Sequence, residues 1–307
     1  MTRPGRDMLT RLPRLATTGV GSLPGNDPAE AVRHVMTAYD VPFCPQLPCL
    51  DGDMIGEWLG VPPGRCGWSP DRDRPLPRCW ATFLDAVVRT RPRHGVVKLQ
   101  VTGPVTLCWA LESRPSSPPA LFAHDVANWL AGNVHRQIAA LAEHHLDCLL
   151  VVDEPALGLV PSHSSLVRAW DPLRHIAGAW GLHVCCPPPW GLLEETEPDL
   201  VSFDLVQHSP RGVALDSLRR LVRAGTTVAW GVTPTTGMGG AESAGRLLDH
   251  AIEGLTSARI DPMELLAASV LTASCGTGAQ STRDEATVSR TLGDIAQRCG
   301  SQSRGTQ

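Results

Sequence analysis

Short apolar runs alternate with longer amphipathic stretches along most of the chain, and this alternation limits the possible folds more than any other feature. The apolar runs have six or seven residues each and lie at 16–21, 41–47, 96–101, 147–153, 181–186, 199–204, 226–232 and 268–274. The longer stretches place apolar residues three and four positions apart, over 28–39, 120–145, 213–224, 241–256 and 283–298. Alternation of strands and helices is typical of a parallel sheet covered by helices.

Eight predicted strands in a chain of 307 residues favour a single-domain α/β fold, a (β/α)8 TIM barrel over residues 1–307. A doubly wound open sheet is the alternative. The run at 41–47 contains two prolines, which makes it the least regular of the predicted strands. Residues 1–14 are predicted to be an N-terminal extension, 60–80 a Pro/Arg-rich loop on the barrel rim, and 299–307 a disordered tail.

Composition excludes several classes of partner. The net charge of -4 does not favour binding to nucleic acid or to an anionic membrane surface. No apolar stretch is long enough to span a membrane, and the basic N-terminal residues lack the apolar segment of a secretory signal. Ten cysteines in 307 residues are too sparse for a disulfide scaffold. We therefore expect a cytoplasmic protein with reduced thiols.

Polar residues lie at the carboxyl ends of most of the predicted strands, where their side chains can share one site. His183 and Cys185 end the fifth strand, Asp204 the sixth, and Cys275 follows the eighth. The carboxyl ends of all barrel strands meet on one face, where active sites of this fold are built. Nitrogen, sulfur and carboxylate ligands of this kind form tetrahedral zinc sites. These four residues are therefore predicted to bind Zn2+.

The spacing within the fifth strand supports a shared metal ion. Positions i and i+2 of a strand point to the same side, so His183 and Cys185 can reach one ion, whereas Cys186 points away. A catalytic zinc site keeps one position open for its substrate. A thiol suits that position, because zinc binds it as the nucleophilic thiolate. The sequence therefore predicts an enzyme that alkylates sulfur.

Seven segments together resemble the cobalamin-independent methionine synthase family, from Thr17 to about Gln297. The chain is similar to short, single-barrel forms of the catalytic C-terminal domain, in the barrel superfamily that also includes uroporphyrinogen decarboxylases. The segments are TTGVGSLPG at 17–25, DMIGEWLG at 53–60, VTGPVTLCWAL at 101–111, VVDEPAL at 151–157, HVCC at 183–186, DLVSFD at 199–204 and TASCGTGAQS at 272–281.

The resemblance implies a zinc-dependent methyltransferase of methionine biosynthesis that transfers a methyl group to the thiol of homocysteine. It implies that the zinc ligands are the four residues predicted above. The family's substrate-binding serine corresponds to Ser22, and its catalytic, amine-binding carboxylate to Asp153. Trp109 matches a tryptophan that borders the methyl donor, which is methyltetrahydrofolate in the long enzymes.

The chain departs from the long enzymes of the family at four places. Asp204 stands where those enzymes have glutamate, and Pro48 lies near the place of an acidic residue that helps hold the substrate amine, with Asp51 close by. The loop at 231–240 contains no counterpart of their catalytic histidine, and their N-terminal half has no match here. Methylcobalamin or a methylated corrinoid protein is therefore an alternative donor. Another small thiol is an alternative acceptor. A non-catalytic accessory protein that binds a metal or a corrinoid is a further alternative.

Overall fold

A computed structural model of the protein describes residues 4–59, 76–111, 119–160, 164–256 and 260–302. Within these residues, seven strands form one curved, half-barrel sheet in which all neighbouring strands are parallel. The order β1-β7-β6-β5-β4-β3-β2 follows the chain without the reversal that defines a doubly wound sheet. The strands are β1 Ala16–Thr17, β2 Val96–Thr102, β3 Asp147–Asp153, β4 Ala179–Val184, β5 Leu200–Asp204, β6 Thr227–Thr233 and β7 Ser269–Ala273.

Helices separate consecutive strands, as the amphipathic stretches predict. Asp27 begins one of them by accepting hydrogen bonds from the amides of Ala29 and Glu30, with Pro28 as the first helical residue. The helices are α1 Pro4–Leu9, α2 Pro28–Ala38, α3 Pro48–Asp51, α4 Met54–Leu59, α5 Trp80–Thr90, α6 Pro104–Leu111, α7 Pro119–Glu143, α8 Asp171–Arg174, α9 Trp190–Thr196, α10 Val213–Arg223, α11 Gly240–Thr256, α12 Pro262–Ala267 and α13 Thr282–Gln302. Two 3-10 turns cover Pro155–Leu159 and Ser164–Arg168.

The run at 41–47 does not form the regular strand predicted for it. Pro42 and Pro45 have no amide hydrogen, so the segment cannot donate a continuous ladder. It nevertheless bonds on both sides: the Cys44 amide donates to Lys98 of β2 at 3.1 Å, and the Gln46 amide donates to Gly21, beyond β1, also at 3.1 Å. Isolated parallel bridges mark the same contacts. The segment thus lies between β1 and β2.

The curved sheet buries apolar side chains on both faces, as parallel sheets between helices do. The larger core lies between the strands and the helices. A smaller one lies on the inner face near the strand starts, and α1 contributes Met8 and Leu9 to it. The predicted N-terminal extension therefore includes a helix that covers the end of the sheet opposite the strand carboxyl ends.

Three further sequence predictions concern the chain's periphery. Residues 60–75 of the predicted rim loop lie outside the described residues, and Trp80 already begins α5. Helix α13 continues to Gln302, so residues 299–302 of the predicted tail are helical; Cys299 packs against the core there. Residues 303–307 lie outside the described residues. In the described part of the chain, every helix falls short of the length or apolar character of a membrane span.

Candidate metal and thiol site

The sheet register brings three polar side chains to one level at the carboxyl ends of β3, β4 and β5. Asp153 pairs with His183, and His183 pairs with Ser202. All three are buried. Residues in register on adjacent parallel strands lie on the same side of the sheet, about 4.8 Å apart. Asp153 and His183, which the sequence predicted at strand ends, are therefore neighbours, and Ser202 lies beside them.

His183, Cys185 and Cys275 form a compact group of potential metal ligands. The His183 Nε2 atom lies 2.8 Å from the Cys185 sulfur, and the Cys185 sulfur lies 3.0 Å from the Cys275 sulfur. One ligand atom from each residue lies within 4.8 Å of the other two. One imidazole nitrogen and two thiolates are a donor set that zinc accepts, and three protein ligands leave a fourth tetrahedral position open. The chemistry of this set fits Zn2+.

Ser202 orients the imidazole ring of His183. Its hydroxyl oxygen lies 2.8 Å from His183 Nδ1, and both side chains are buried. When Nε2 binds a metal, Nδ1 carries the proton and donates it to such a partner, which determines the tautomer and the ring direction. Ser202 thus leaves Nε2 directed toward the two sulfur atoms.

A hydrogen bond joins the two thiols of the cluster, and either sulfur can be its donor. This hydrogen bond lowers the pKa of Cys275. The same contact and burial raise the pKa of Cys185, because a second thiolate beside the first is unfavourable. A bound cation would stabilise the thiolate forms of both residues.

Asp153 presents an unpaired carboxylate atom beside this cluster. Its Oδ1 atom is buried and has no hydrogen-bond partner among the described residues. Burial raises the pKa of Asp153 to about 6, while the charges of His183 and Lys98 lower it. A buried carboxylate oxygen without a donor is costly unless a ligand supplies one. The arrangement suits a ligand with a cationic amine.

Glu154, the neighbour of Asp153, has a structural role. Its carboxylate accepts bonds from the amides of Val105 and Thr106, from the Thr106 hydroxyl and from the Trp170 indole. These amides begin α6, where a negative charge is favourable. Burial raises the pKa of Glu154 to about 7, and the donors oppose this rise. Glu154 therefore attaches α6 to the end of β3.

Ser22 contacts the loop that carries Cys275. The Ser22 hydroxyl accepts a bond from the Gly278 amide at 3.3 Å, and the Ser22 carbonyl accepts one from the Thr277 amide at 2.9 Å. A Cβ atom at Gly276 would lie 2.1 Å from the Ser22 hydroxyl oxygen. The predicted serine is thus adjacent to the cluster, and its role in substrate binding stays a prediction.

Asp204 and Trp109, two further predicted site residues, are not part of the ligand group formed by His183, Cys185 and Cys275. The carboxylate of Asp204 accepts bonds from the amide and the side chain of Gln207, and the group of ligand atoms above does not include it. Trp109 is 52 % exposed on α6. Their roles as a zinc ligand and as a border of the donor site stay predictions. The sulfur of Cys186, predicted to point away, accepts a bond from the Gly158 amide.

Sequence reasoning missed Ser202 and Lys98. The signal for Ser202 was present, because it precedes Asp204 by two residues and so lies on the same face of the strand. Lys98 is buried on β2 and donates to the Val20 carbonyl at 2.5 Å and to Gln100 Oε1 at 3.2 Å. Together with His183, it lines a small cavity below the cluster. Its charge interrupts the apolar run of a buried strand, which could have drawn attention to it.

No protein-family model matches the sequence, and no curated protein matches it. The solved structures that resemble its fold include two that do so over nearly their full lengths. One is a B12-independent methionine synthase from Shewanella sp. W3-18-1 in complex with selenomethionine, with a TM-score of 0.61 and 15% identity, covering 94% of this chain and 98% of that one. The other is a methyltransferase from Methanosarcina mazei, with a TM-score of 0.61 and 13% identity, covering 96% of this chain and 97% of that one. At these identities the likeness shows the fold.

Proposed function

We propose that this protein is a zinc-dependent methyltransferase that transfers a methyl group to the thiol of homocysteine, giving methionine. The observation that carries the proposal is the group of His183, Cys185 and Cys275 at the strand carboxyl ends, with the unpaired carboxylate oxygen of Asp153 beside it. Two of the structures that resemble the fold are described as a B12-independent methionine synthase and a methyltransferase, which supports the same chemistry.

His183, Cys185 and Cys275 would hold the zinc ion. Bound zinc would lower the pKa of a substrate thiol, of which only a few per cent is thiolate at pH 7. In the transfer, the homocysteine thiol releases its proton to solvent, and a sulfur electron pair forms the new S–CH3 bond. The bond between the donor and the methyl group breaks, and its electron pair stays with the donor.

Asp153 is proposed to select the amino acid end of the substrate. Its Oδ1 atom would accept a hydrogen bond from the ammonium group of homocysteine, and the neighbouring Ser22 would contact the same end. Such a charge-assisted bond contributes about 1.5–3 kcal/mol. Positioning the thiol in this way converts a bimolecular encounter into an oriented reaction.

The first experiment measures methionine formed from homocysteine by zinc-loaded protein, with methyltetrahydrofolate and methylcobalamin as parallel donors. Cys275→Ser should abolish both zinc retention and transfer. Cys186→Ser is the matched control, because Cys186 bonds to the Gly158 amide and lies outside the ligand group. Full activity of zinc-free protein, or equal activity of the two variants, would contradict the proposal.

The second experiment tests the role of Asp153 with a substrate lacking the amine. The rate constant kcat/KM is compared for homocysteine and 4-mercaptobutanoate, which has the same thiol and carboxylate. The wild-type protein should prefer homocysteine by about 10- to 150-fold, the equivalent of one charge-assisted bond. Asp153→Asn should reduce this preference toward one. An unchanged preference would remove Asp153 from amine binding.

The donor is decided by the same assay. When methyltetrahydrofolate loses its methyl group, the folate nitrogen gains a proton. When methylcobalamin loses its methyl group, the cobalt keeps the electron pair of the broken bond, and no proton is needed. The loop after β6 contains no histidine to supply that proton. Methionine from methylcobalamin alone would identify a corrinoid donor. Zinc binding without turnover of any thiol would refute the enzymatic proposal and favour an accessory role.

We also propose that the segment at 41–47 completes a closed (β/α)8 barrel. Its hydrogen bonds to Gly21, beyond β1, and to Lys98 in β2 support this arrangement. A closed barrel would direct all strand carboxyl ends, including those after β1 and β7, toward one mouth.

A further inference from the structure

A second polar cluster lies behind the loop that carries Cys275, around the buried carboxylate of Glu285 on α13. Glu285 Oε1 accepts a bond from the Tyr39 hydroxyl at 2.5 Å and lies 2.9 Å from His34 Nε2. Glu285 Oε2 accepts a bond from the Thr277 hydroxyl at 2.5 Å. Both carboxylate oxygens are therefore paired, which a buried carboxylate requires.

Thr277 connects this cluster to the metal ligands. It follows Cys275 by two residues, and its side chain is buried. While its hydroxyl bonds to Glu285, its backbone amide donates to the Ser22 carbonyl at 2.9 Å. The loop after β7 is thus attached to α13 on one side and to the segment after β1 on the other.

The loop packs closely against its neighbours. A Cβ atom at Gly276 would lie 2.1 Å from the Ser22 hydroxyl oxygen, and one at Gly278 would lie 2.8 Å from Pro48. Glycine at both positions permits this packing, and a larger residue would displace the backbone between Cys275 and Gly278. The 3.0 Å separation of the Cys275 and Cys185 sulfur atoms depends on the path of that backbone.

We propose that Thr277 and Glu285 are positioning residues that hold Cys275 at metal-binding distance from His183 and Cys185. This inference rests on the proposed metal site. Neither side chain touches the ligand atoms, so both act through the loop backbone. Supporting residues around metal ligands contribute about 10- to 100-fold to metal affinity. The hydroxyl of Tyr39 completes the cluster as a donor, and burial beside Glu285 raises its pKa.

If Glu285 only connects α2 to α13, a different result is expected. Loss of that connection would lower the stability of the protein without changing its zinc affinity. The test therefore removes the Thr277 hydroxyl alone by Thr277→Val and restores it by Thr277→Ser. Thr226→Val is the matched control, because Thr226 is also buried and its hydroxyl donates to the Pro198 carbonyl. Thr226 directly precedes β6 and therefore lies at the opposite end of that strand from the site.

Zinc affinity is measured by competition with a chelator, and the Co2+-loaded proteins are compared by their thiolate-to-cobalt absorption. Thr277→Val should bind zinc about 10- to 100-fold more weakly with a reduced absorption, and Thr277→Ser should recover most of this loss. Thr226→Val should lower the thermal midpoint but leave zinc affinity and the cobalt absorption unchanged.

Wild-type zinc affinity and cobalt absorption in Thr277→Val would overturn the inference, as would an equal loss of zinc affinity in Thr226→Val. These readouts do not depend on turnover. A protein that binds zinc but transfers no methyl group would refute the proposed function and leave this test valid. Conversely, normal zinc binding by Thr277→Val would refute the positioning role even if methyl transfer is confirmed.

Discussion

Removal of the Ser202 hydroxyl should weaken metal binding by His183 while the chain stays folded. The Ser202 oxygen lies 2.8 Å from His183 Nδ1 and both groups are buried, so water cannot replace the lost partner easily. In the metal-bound state Nδ1 carries the proton. Ser202→Ala therefore leaves a buried N–H group without an acceptor only when the metal is bound.

The expected loss of zinc affinity follows from the burial of the His183 N–H group. An unsatisfied buried donor costs about 1–3 kcal/mol. Each 1.4 kcal/mol is a factor of ten in an equilibrium constant, so zinc affinity should fall about 5- to 150-fold. The range agrees with the loss of about 10- to 100-fold expected when a partner of a metal ligand is removed.

The assay is a chelator competition at pH 7 that gives the zinc dissociation constant of each protein. Ser269→Ala is the matched control: Ser269 is a buried serine on β7 whose hydroxyl accepts from the Trp230 indole and donates to the Leu265 carbonyl. Ser269→Ala should lower the stability measured by chemical denaturation at least as much as Ser202→Ala does, and its zinc dissociation constant should stay unchanged. Equal zinc affinity of Ser202→Ala and the wild-type protein would refute the reasoning about Nδ1.

Three further predictions concern the site and its surroundings. Cys275→Ser should lose more zinc affinity than the about 10- to 100-fold expected for a supporting residue, and retention of one zinc per chain would contradict its role as a ligand. Gly276→Ala should destabilise the fold by about 1–3 kcal/mol, because the new Cβ would meet the Ser22 hydroxyl at 2.1 Å. In the control Gly293→Ala on α13, the new Cβ would meet nothing within 4 Å, so the stability should stay the same or increase. Burial lowers the pKa of Lys98 to about 8, so the unfolded chain holds this proton above that pH while the folded chain releases it. The unfolding free energy of the wild-type protein relative to Lys98→Met should therefore rise by about 2 kcal/mol between pH 7 and 9.5, and a constant difference would show that Lys98 titrates normally.

Local periodicity was enough to predict most of the secondary structure. The helix predicted over 28–39 is observed as Pro28–Ala38, and the one predicted over 213–224 as Val213–Arg223. The strand predicted at 147–153 is observed as Asp147–Asp153. These elements depend on side-chain spacing and terminal residues, which act over a few positions along the chain.

The segment at 41–47 shows where local pattern was insufficient. Its apolar residues suggest a strand, and the burial of Val41 and Phe43 agrees with a core position. Its prolines prevent a regular ladder, yet bonds from both sides still hold it in place. Those bonds depend on chain segments that are distant in sequence, so the segment's own residues could not predict them.

The same distinction applies to the candidate site. The two-residue period of a strand determined from sequence alone that His183 and Cys185 lie on one side, and their 2.8 Å contact agrees. Asp204 also ends a strand as predicted, but its carboxylate bonds to Gln207 in the following turn. Strand position decides which face a residue occupies, whereas the turn after the strand decides where its polar atoms point.

The sequence by itself determined the alternation of strands and helices and the types of residue at the strand ends. Only the tertiary structure decided which of these groups meet. The contact between Cys185 and Cys275 joins residues 90 positions apart, and that between Tyr39 and Glu285 joins residues 246 apart. Such contacts depend on the register and curvature of the whole sheet, because small shifts of a strand move a side chain beyond the distance of a hydrogen bond or a metal bond.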